Sequence, residues 1–416
     1  MKLTLQLSII SVLNLVALFL FQWYVIFQLG PGLDTDALFA GMTVPQLVLT
    51  IVSGSLMHVL VPLLAGEDLH QLRRDAWGFF YLIGAFFLLL SIVLIVLAPW
   101  WVPLTVPGFD QAGKALAIDL TRIQLIGIAF SAISGVQLAS CHVQGQFIWA
   151  DLATLLSNLV VFILLVYLLP EYGISAAAWL GSFRVILQAL FLSPSLGLPL
   201  CPELKSEFMR KAWSRLKPLM WGSLYYKTEI LVDRFLLSMA TAGSISLYFL
   251  AQQIYQAVNL ILNKAIAAPL VPRLSRHYKG SERNNFEASF CRAYLLSGMI
   301  VAIFLALLYL YGLDLLALLV GNGSVSEENV KDLWWILIWL SGMLVGGALG
   351  QITSSGFYAT GDTSTITRIG VYTYTIYIPV KIGLFFLEGI QGLAIATSLF
   401  FVVNTILQLY YLKRRK

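Results

Sequence analysis

Apolar residues arrive in twelve long runs, and almost every charge falls in the gaps between them. The runs lie at 5–27, 37–65, 77–99, 116–140, 147–169, 174–193, 218–240, 244–268, 288–311, 333–358, 365–386 and 390–412. Each is long enough to cross a hydrocarbon core of about 30 Å as a helix. Barrel strands would be shorter and would alternate, whereas a helix satisfies its backbone hydrogen bonds within one segment, as lipid demands. The expected fold is therefore an all-α polytopic membrane protein of about twelve transmembrane helices.

Composition sharpens this reading. At 59% apolar and 11% charged residues the chain is not a soluble globule. Lys2, Arg73, Arg74, Lys205, Arg210, Lys211, Arg215, Lys217, Arg273, Arg276, Lys279, Arg283 and the tail Lys413–Lys416 all fall on one side of the expected topology. The opposite loops offer Lys114 and Lys331, with Lys381 near a helix end. That asymmetry makes both termini cytoplasmic. The net charge of +5 reads as topology-setting loops that touch anionic headgroups, with membrane lipids and not nucleic acid as partners. The first run reads as a retained span because it lacks a small-residue cleavage site. Cys141, Cys201 and Cys291 are widely separated and suggest free thiols, with neither a disulfide framework nor a metal site.

The longest polar interruption, 194–217, opens with Pro194, Pro199 and Pro202 and turns basic and amphipathic from Lys205. It divides the chain into an N-terminal half (1–193), a linker (194–217) and a C-terminal half (218–416), each half with six spans. Asp36-Ala37-Leu38-Phe39 followed by Pro62 is echoed by Ser246-Leu247-Tyr248-Phe249 followed by Pro272. Tyr172-Gly173-Ile174-Ser175-Ala176-Ala177 is echoed by Gln391-Gly392-Leu393-Ala394-Ile395-Ala396. Two such halves about a midplane cavity, inserted as parallel repeats, are a secondary-transporter design.

Polar groups inside the runs are the candidate chemistry, because ionisable side chains facing lipid are costly. Lys227, Glu229, Asp233 and Arg234 fall within eight residues of the seventh run. They suit an anionic substrate or a coupling cation, or else form a structural cluster that snorkels to the interface. Asp119 and Arg122, three apart, either line a cavity or satisfy each other. Arg122, Arg184, Lys227 and Lys264 have the chemistry a diphosphate requires, Arg as a bidentate fork and Lys as a point charge. Gln252, Gln253, Asn259 and Asn263 suit sugar hydroxyls or helix-to-helix hydrogen bonding. His58 reads as a packed histidine, and Gly342, Gly346 and Gly350 as a close helix contact. Pro45, Pro62 and Pro269 should bend or break their helices. No HExxH, GxSxG or phosphate-loop pattern is present, so the chain reads as a transporter rather than an enzyme.

Several stretches resemble the MviN/MurJ lipid II flippases of the multidrug/oligosaccharidyl-lipid/polysaccharide exporter superfamily. They are Gly30-Pro31-Gly32-Leu33-Asp34-Thr35-Asp36-Ala37-Leu38-Phe39, Leu231-Val232-Asp233-Arg234, Val271-Pro272-Arg273-Leu274-Ser275, Gly356-Phe357-Tyr358-Ala359-Thr360-Gly361-Asp362-Thr363 and Gly392-Leu393-Ala394-Ile395-Ala396-Thr397-Ser398. The resemblance implies a bacterial inner-membrane flippase that passes a polyprenyl-diphosphate-linked saccharide to the outer leaflet by alternating access. It further implies neighbouring glycosyltransferases or a polymerase as pathway partners, no cofactor, and Na+, H+ or the membrane potential as the driving force. Where such flippases carry cavity arginines, this chain reads Phe21-Gln22-Trp23-Tyr24, Leu49-Thr50 and Gln253, and of that constellation Asp36 is retained. The family usually has fourteen helices. Together these differences liken the chain more to twelve-helix polysaccharide (Wzx-like) flippases than to true lipid II flippases. On this reading Arg122, Arg184, Lys227 and Lys264 meet the diphosphate, and Gln252, Gln253 and Asn259 meet the sugar. Asp36, Glu229 and Asp233 bind a coupling cation or gate the cavity. A cation-coupled multidrug exporter and a non-transporting scaffold of a glycan-assembly complex are the alternative readings.

Overall fold

A computed structural model of the chain describes residues 2–64, 69–200, 207–320 and 323–414; residues 201–206 of the expected linker, with Cys201 and Lys205, lie outside them, as does the side chain of His58. Among the described residues the regular structure is helical throughout, with no strand. Nine helical stretches there are long and apolar enough to cross a membrane. The longest of them, Ser364–Arg414, holds two of the expected runs. The runs at 37–65 and 218–240 lie on further helices, so every expected run is helical. The all-α polytopic membrane architecture stands.

The chain forms two compact units, Met1–Ile245 and Ser246–Lys416. The first holds α1 (Lys2–Leu29), α2 (Leu33–Gly41), α3 (Thr43–Leu64), α4 (Leu69–Thr105), α5 (Gln111–Leu125), α6 (Gly127–Val143), α7 (Phe147–Tyr172), α8 (Ile174–Leu192) and α9 (Glu207–Leu237). Helix α6 packs on α3, α4 and α8, α7 on α1 and α8, and α9 on α3 and α4. Leu56 and Leu60, one turn apart on α3, meet Phe79, Leu125, Val136 and Leu216 in a buried cluster. The second unit holds α10 (Ser244–Leu262, which starts two residues before the division), α11 (Ala268–Lys279), α12 (Arg283–Val320), α13 (Glu327–Trp339), α14 (Ser341–Thr360) and α15 (Thr363–Arg414). Leu274, Phe290, Ile352 and Phe357 centre its core. On α12, Leu295, Met299, Ile303, Leu307 and Leu310 form an exposed stripe at helical spacing, as do Leu89, Ile92 and Val96 on α4. Water would not tolerate such faces; hydrocarbon requires them.

The helices break where the backbone cannot continue. Between α2 and α3 the break falls at Met42, just before Pro45, whose ring crowds the carbonyl four residues back and offers no N–H to it. Pro269 acts differently: ahead of it, Asn263–Ala267 winds as a π-helix between α10 and α11. One extra residue in a turn absorbs the missing donor. Pro62 is carried inside α3. Within α15 the break is at Gly389 (φ 60°, ψ −134°), and the break between α7 and α8 is at Gly173 with nearly the same angles (φ 58°, ψ −148°). Left-handed backbone of this kind favours glycine. The sequence echo around Gly173 thus has its conformational partner at Gly389, three residues before Gly392.

Gly342, Gly346 and Gly350 pack as their four-residue spacing predicts. A Cβ at Gly342 would lie 2.6 Å from the Ser398 side chain, at Gly346 2.4 Å from the Phe401 backbone, and at Gly350 2.8 Å from Thr405 Oγ1. Helix α14 therefore touches the second segment of α15 backbone to backbone, and Thr405 Oγ1 donates to the Gly346 carbonyl at 2.8 Å. Gly346→Ala forces those helices apart and is expected to cost about 1–3 kcal/mol of stability. Gly181→Ala meets nothing within 4 Å and is expected to be neutral or slightly stabilising. Thermal unfolding of both purified variants checks the contrast, and equal melting points would overturn the contact.

Candidate functional site

The segment Gly30–Asp36 builds one candidate locally. Gly30 takes φ 76°, the N-cap Gly32 is extended, and α2 starts at Leu33 with Asp34 and Asp36 in its first turn, where the helix dipole favours carboxylates. Gly32 N–H donates to Thr35 Oγ1 at 3.0 Å, and Thr35 Oγ1 donates to Gly30 O at 3.1 Å, which fixes the turn. Asp36 is buried, and its Oδ2 accepts from the Gly243 N–H at 2.7 Å. Gly243 has φ 92° and stands against Pro31, so a side chain there would be both strained and crowded. Gly108 N–H donates to Ser238 Oγ at 3.3 Å in the same unit, and a Cβ on Gly108 would fall 2.2 Å from the Ser238 carbonyl oxygen. The turn after α9 is thus clasped at 238 and at 243. The Asp36 carboxylate, engaged with a backbone donor, can hold or release that turn.

Of the four ionisable residues in the seventh run, all on α9, Lys227 and Glu229 are half-buried, while Asp233 and Arg234 are 3% and 4% exposed. The helix brings two acids and two bases onto one segment that packs on α3 and α4. Arg184 belongs to a different group. Its Nη1 donates to Asn158 Oδ1 at 3.5 Å, Asn158 Nδ2 donates to Asn14 Oδ1 at 3.2 Å, and Asn14 Nδ2 donates to the Asp151 carbonyl at 3.0 Å. Ser11 Oγ donates to Asp151 Oδ2 at 3.5 Å. The chain of bonds crosses α8, α7 and α1 and ties Arg184 into the unit. Arg122 pairs with Asp119 at 3.5 Å and donates from Nε to the Ile95 carbonyl at 3.4 Å, with both side chains substantially exposed.

In the second unit Gln252 and Gln253 are half-buried on α10, and Asn259 is buried against Gly347, whose Cβ would lie 2.5 Å from Asn259 Nδ2. The Asn259 side-chain oxygen accepts no hydrogen bond among the described residues. Lys264 stands in the π-helix and is exposed. The structure does not bring Lys264 and Asn259 onto one buried surface.

One charge departs from its expected place. Lys381, expected near a helix end, lies two turns before the Gly389 break and is fully buried, the largest charged side chain in that state among the described residues. Its Nζ sits 4.8 Å above the Tyr377 ring, within cation–π range. The Tyr377 hydroxyl shares a hydrogen bond of 2.9 Å with Thr397 Oγ1, the Tyr248 hydroxyl shares one of 3.0 Å with the same atom, and Thr397 donates to the Leu393 carbonyl at 3.0 Å. Phe400 stacks on Tyr377 at 4.5 Å. The available sequence signal is Tyr377 four residues before Lys381, which places both on one helix face. Among the described residues no group of His, Cys, Asp and Glu has the spacing to hold a metal ion.

A family model described as "Lipid II flippase MurJ" matches residues 27–416. A probable lipid II flippase MurJ of Vibrio cholerae is 24% identical over 408 residues, which cover 90% of this chain and 76% of the relative. The lipid II flippase MurJ of Burkholderia cenocepacia is 22% identical over 413 residues, covering 93% and 78%. Among solved structures, a lipid II flippase MurJ in an inward closed conformation superimposes with a TM-score of 0.85 at 18% identity, over 98% of this chain and 87% of that one. An inward-facing multidrug resistance MATE transporter of the MOP superfamily gives 0.81 at 15% identity, over 98% and 94%. The two likenesses establish the fold.

The clasp at Asp36 separates two roles by substitution. Asp36→Asn keeps an oxygen to accept from Gly243, whereas Asp36→Ala removes it and should cost about 1.5–3 kcal/mol. Thermal unfolding is expected to rank wild type near Asn and well above Ala. If Asn proves as unstable as Ala, the carboxylate charge and not the hydrogen bond is what the site uses.

Proposed function

The chain belongs to the lipid II flippase MurJ family, and we propose on that premise that it moves the polar head of a polyprenyl-diphosphate-linked saccharide from the cytoplasmic to the outer leaflet of a bacterial inner membrane by alternating access. The observation that carries this reading is the family match over residues 27–416, nearly the whole chain. The intramembrane charges give it chemistry. Buried or half-buried Arg184, Lys227 and Lys381 supply cationic groups that lipid would not tolerate without use. Arg184 and Lys227 meet the diphosphate in this scheme, with Arg122 and Lys264 as exposed steering groups. Gln252, Gln253 and Asn259 offer amide donors and acceptors to sugar hydroxyls, with the half-buried Gln252 and Gln253 more accessible than the buried Asn259.

Asp36 serves as a gate through its bond to Gly243, and Glu229 with Asp233 answers to a coupling Na+ or H+ or to the membrane potential. The saccharide is one other than that of lipid II in this proposal. Gln22, standing where a cavity arginine is expected of a lipid II flippase, is buried, and its side-chain oxygen accepts no hydrogen bond among the described residues. A neutral amide there brings no charge to the diphosphate, which in this scheme is left to Arg184 and Lys227.

Depletion of the protein is expected to trap a polyprenyl-diphosphate saccharide on the cytoplasmic face, read by lipid extraction and a membrane-impermeant probe. Wild-type protein restores sidedness. The double variant Lys227→Ala/Glu229→Ala, present at normal membrane levels, is expected to restore less than about a tenth of it, and Lys381→Met to behave alike, because each removes charge that only transport would justify. Unchanged lipid-linked pools on depletion, or full rescue by the double variant, would sink the proposal; a drug-efflux defect in its place would favour the exporter reading.

A further inference from the structure

A lysine inside a span ordinarily runs its four-carbon stem to the nearer interface and keeps its charge in water. Lys381 does not. It stands about 12 Å along the helix axis ahead of the Gly389 break, and its side chain is fully buried. The stem runs away from that break: Nζ lies 4.8 Å over the ring of Tyr377, one turn earlier in the chain. The ammonium is carried inward to a ring face.

What surrounds that ring has the chemistry of a cation site. Tyr377 stacks on Phe400 at 4.5 Å, and Tyr374 stands 6.2 Å from each of them, so the ring under the ammonium belongs to a cluster of three drawn from both segments of α15. Tyr374 and Tyr377 are buried. Ring faces are negative, and such a cluster keeps out the water that would compete for a cation. The hydroxyls add to this by a count of protons. Thr397 Oγ1 gives its one proton to the Leu393 carbonyl at 3.0 Å, so it accepts from Tyr377 at 2.9 Å and from Tyr248, on α10, at 3.0 Å. Both phenol protons are thereby committed to Thr397, and towards any third group the phenol oxygens can only accept. An ammonium is all donors. A negative ring face and two oriented phenol oxygens are together set for a group that is positive and only donates.

We infer that the second unit contains a site for a primary organic ammonium, built from Tyr248, Tyr374, Tyr377, Thr397 and Phe400, and that Lys381 fills it from within. The protein supplies the ligand on a tether. The inference does not rest on the saccharide reading, but it narrows the driving force of the transport proposed above. No dissolved cation has to enter this site for the cycle to run, and a drug-like ammonium finds the place taken.

The test removes the tether and returns the ligand. Lys381→Ala deletes three carbons and the nitrogen, and n-propylammonium is that fragment. Purified full-length Lys381→Ala, with n-propylammonium some tenfold above its dissociation constant, is expected to melt about 2–4 °C higher than without it. Wild type and Lys381→Met, whose stems occupy the site, are expected not to move. 1-Propanol, of the same shape without charge, and sodium chloride at equal ionic strength should leave Lys381→Ala unchanged. Adding Tyr377→Leu to Lys381→Ala should weaken n-propylammonium binding about tenfold, within the range of a desolvated cation–π contact. Where Lys381→Ala does not survive purification alone, the amine is present from membrane extraction onward and the recovered yield is read against 1-propanol. No gain from n-propylammonium, an equal gain from 1-propanol or sodium chloride, or an equal shift in wild type would overturn the site. The flippase reading fails by a separate sign, unchanged lipid-linked pools on depletion, which leaves this binding untouched.

Discussion

Hydrocarbon offers the backbone no water to bond to, and the rest of this structure answers to that one deficit. Each residue in a span must place its own N–H and C=O, so the chain can only be helical there, and every interruption has to be met locally. Proline at 269 removes one donor, and the helix responds with a π-turn over Asn263–Ala267 rather than an open gap. At Gly173 and Gly389 the chain instead turns through left-handed backbone. The same deficit governs side chains: Ser131, Thr121 and Ser157 return their hydroxyls to carbonyls one turn back, because nothing else at that depth would accept them.

Close approach is the second consequence. Helices in lipid gain little from hiding apolar surface, since lipid is as apolar as leucine, and association rests on packing and on interhelical hydrogen bonds. The glycine stripe of α14 supplies the first and Thr405 the second, on the same contact. In the other unit, Gly41 serves α2 in the same way: a Cβ there would press on Thr121 at 2.8 Å. Small residues at crossings and hydroxyls beside them let buried polarity be satisfied without widening the gap.

These constraints explain what the sequence could and could not disclose. The spans were legible because length and apolar composition are linear properties, and the glycine contact because a period of four maps onto one helix face. The pairing of Asp119 with Arg122 was legible as one of two readings, since three residues on a helix are neighbours. Arg184 was not, because its partners Asn158 and Asn14 are brought by other helices. Lys264 read as an isolated cation inside an apolar run; it falls within the π-turn Asn263–Ala267 ahead of Pro269, and its side chain is exposed. Lys381 lay near the end of its apolar run, 365–386, and only the three-dimensional neighbours Thr397 and Tyr248 show the interior into which its helix packs.

Fold alone does not choose a substrate here, because a lipid II flippase and a multidrug exporter superimpose on this chain almost equally well. Charge is the better discriminator. In the seventh run, on α9, the two acids offset the two bases, so that stretch is polar without being net positive. Arg122 is answered by Asp119. Two further cations inside the spans are half-buried or buried, whereas Lys264, Arg292 and Arg368 are exposed: Arg184, which donates to the neutral amide of Asn158, and Lys381, which sits over the Tyr377 ring. Each brings positive charge to a depth where an organic cation would be repelled by it and an anionic head group drawn to it. The proposed preference for a diphosphate over a drug cation therefore leans, for net charge, on Arg184 and Lys381, since Lys227 and Arg234 on α9 are offset by Glu229 and Asp233.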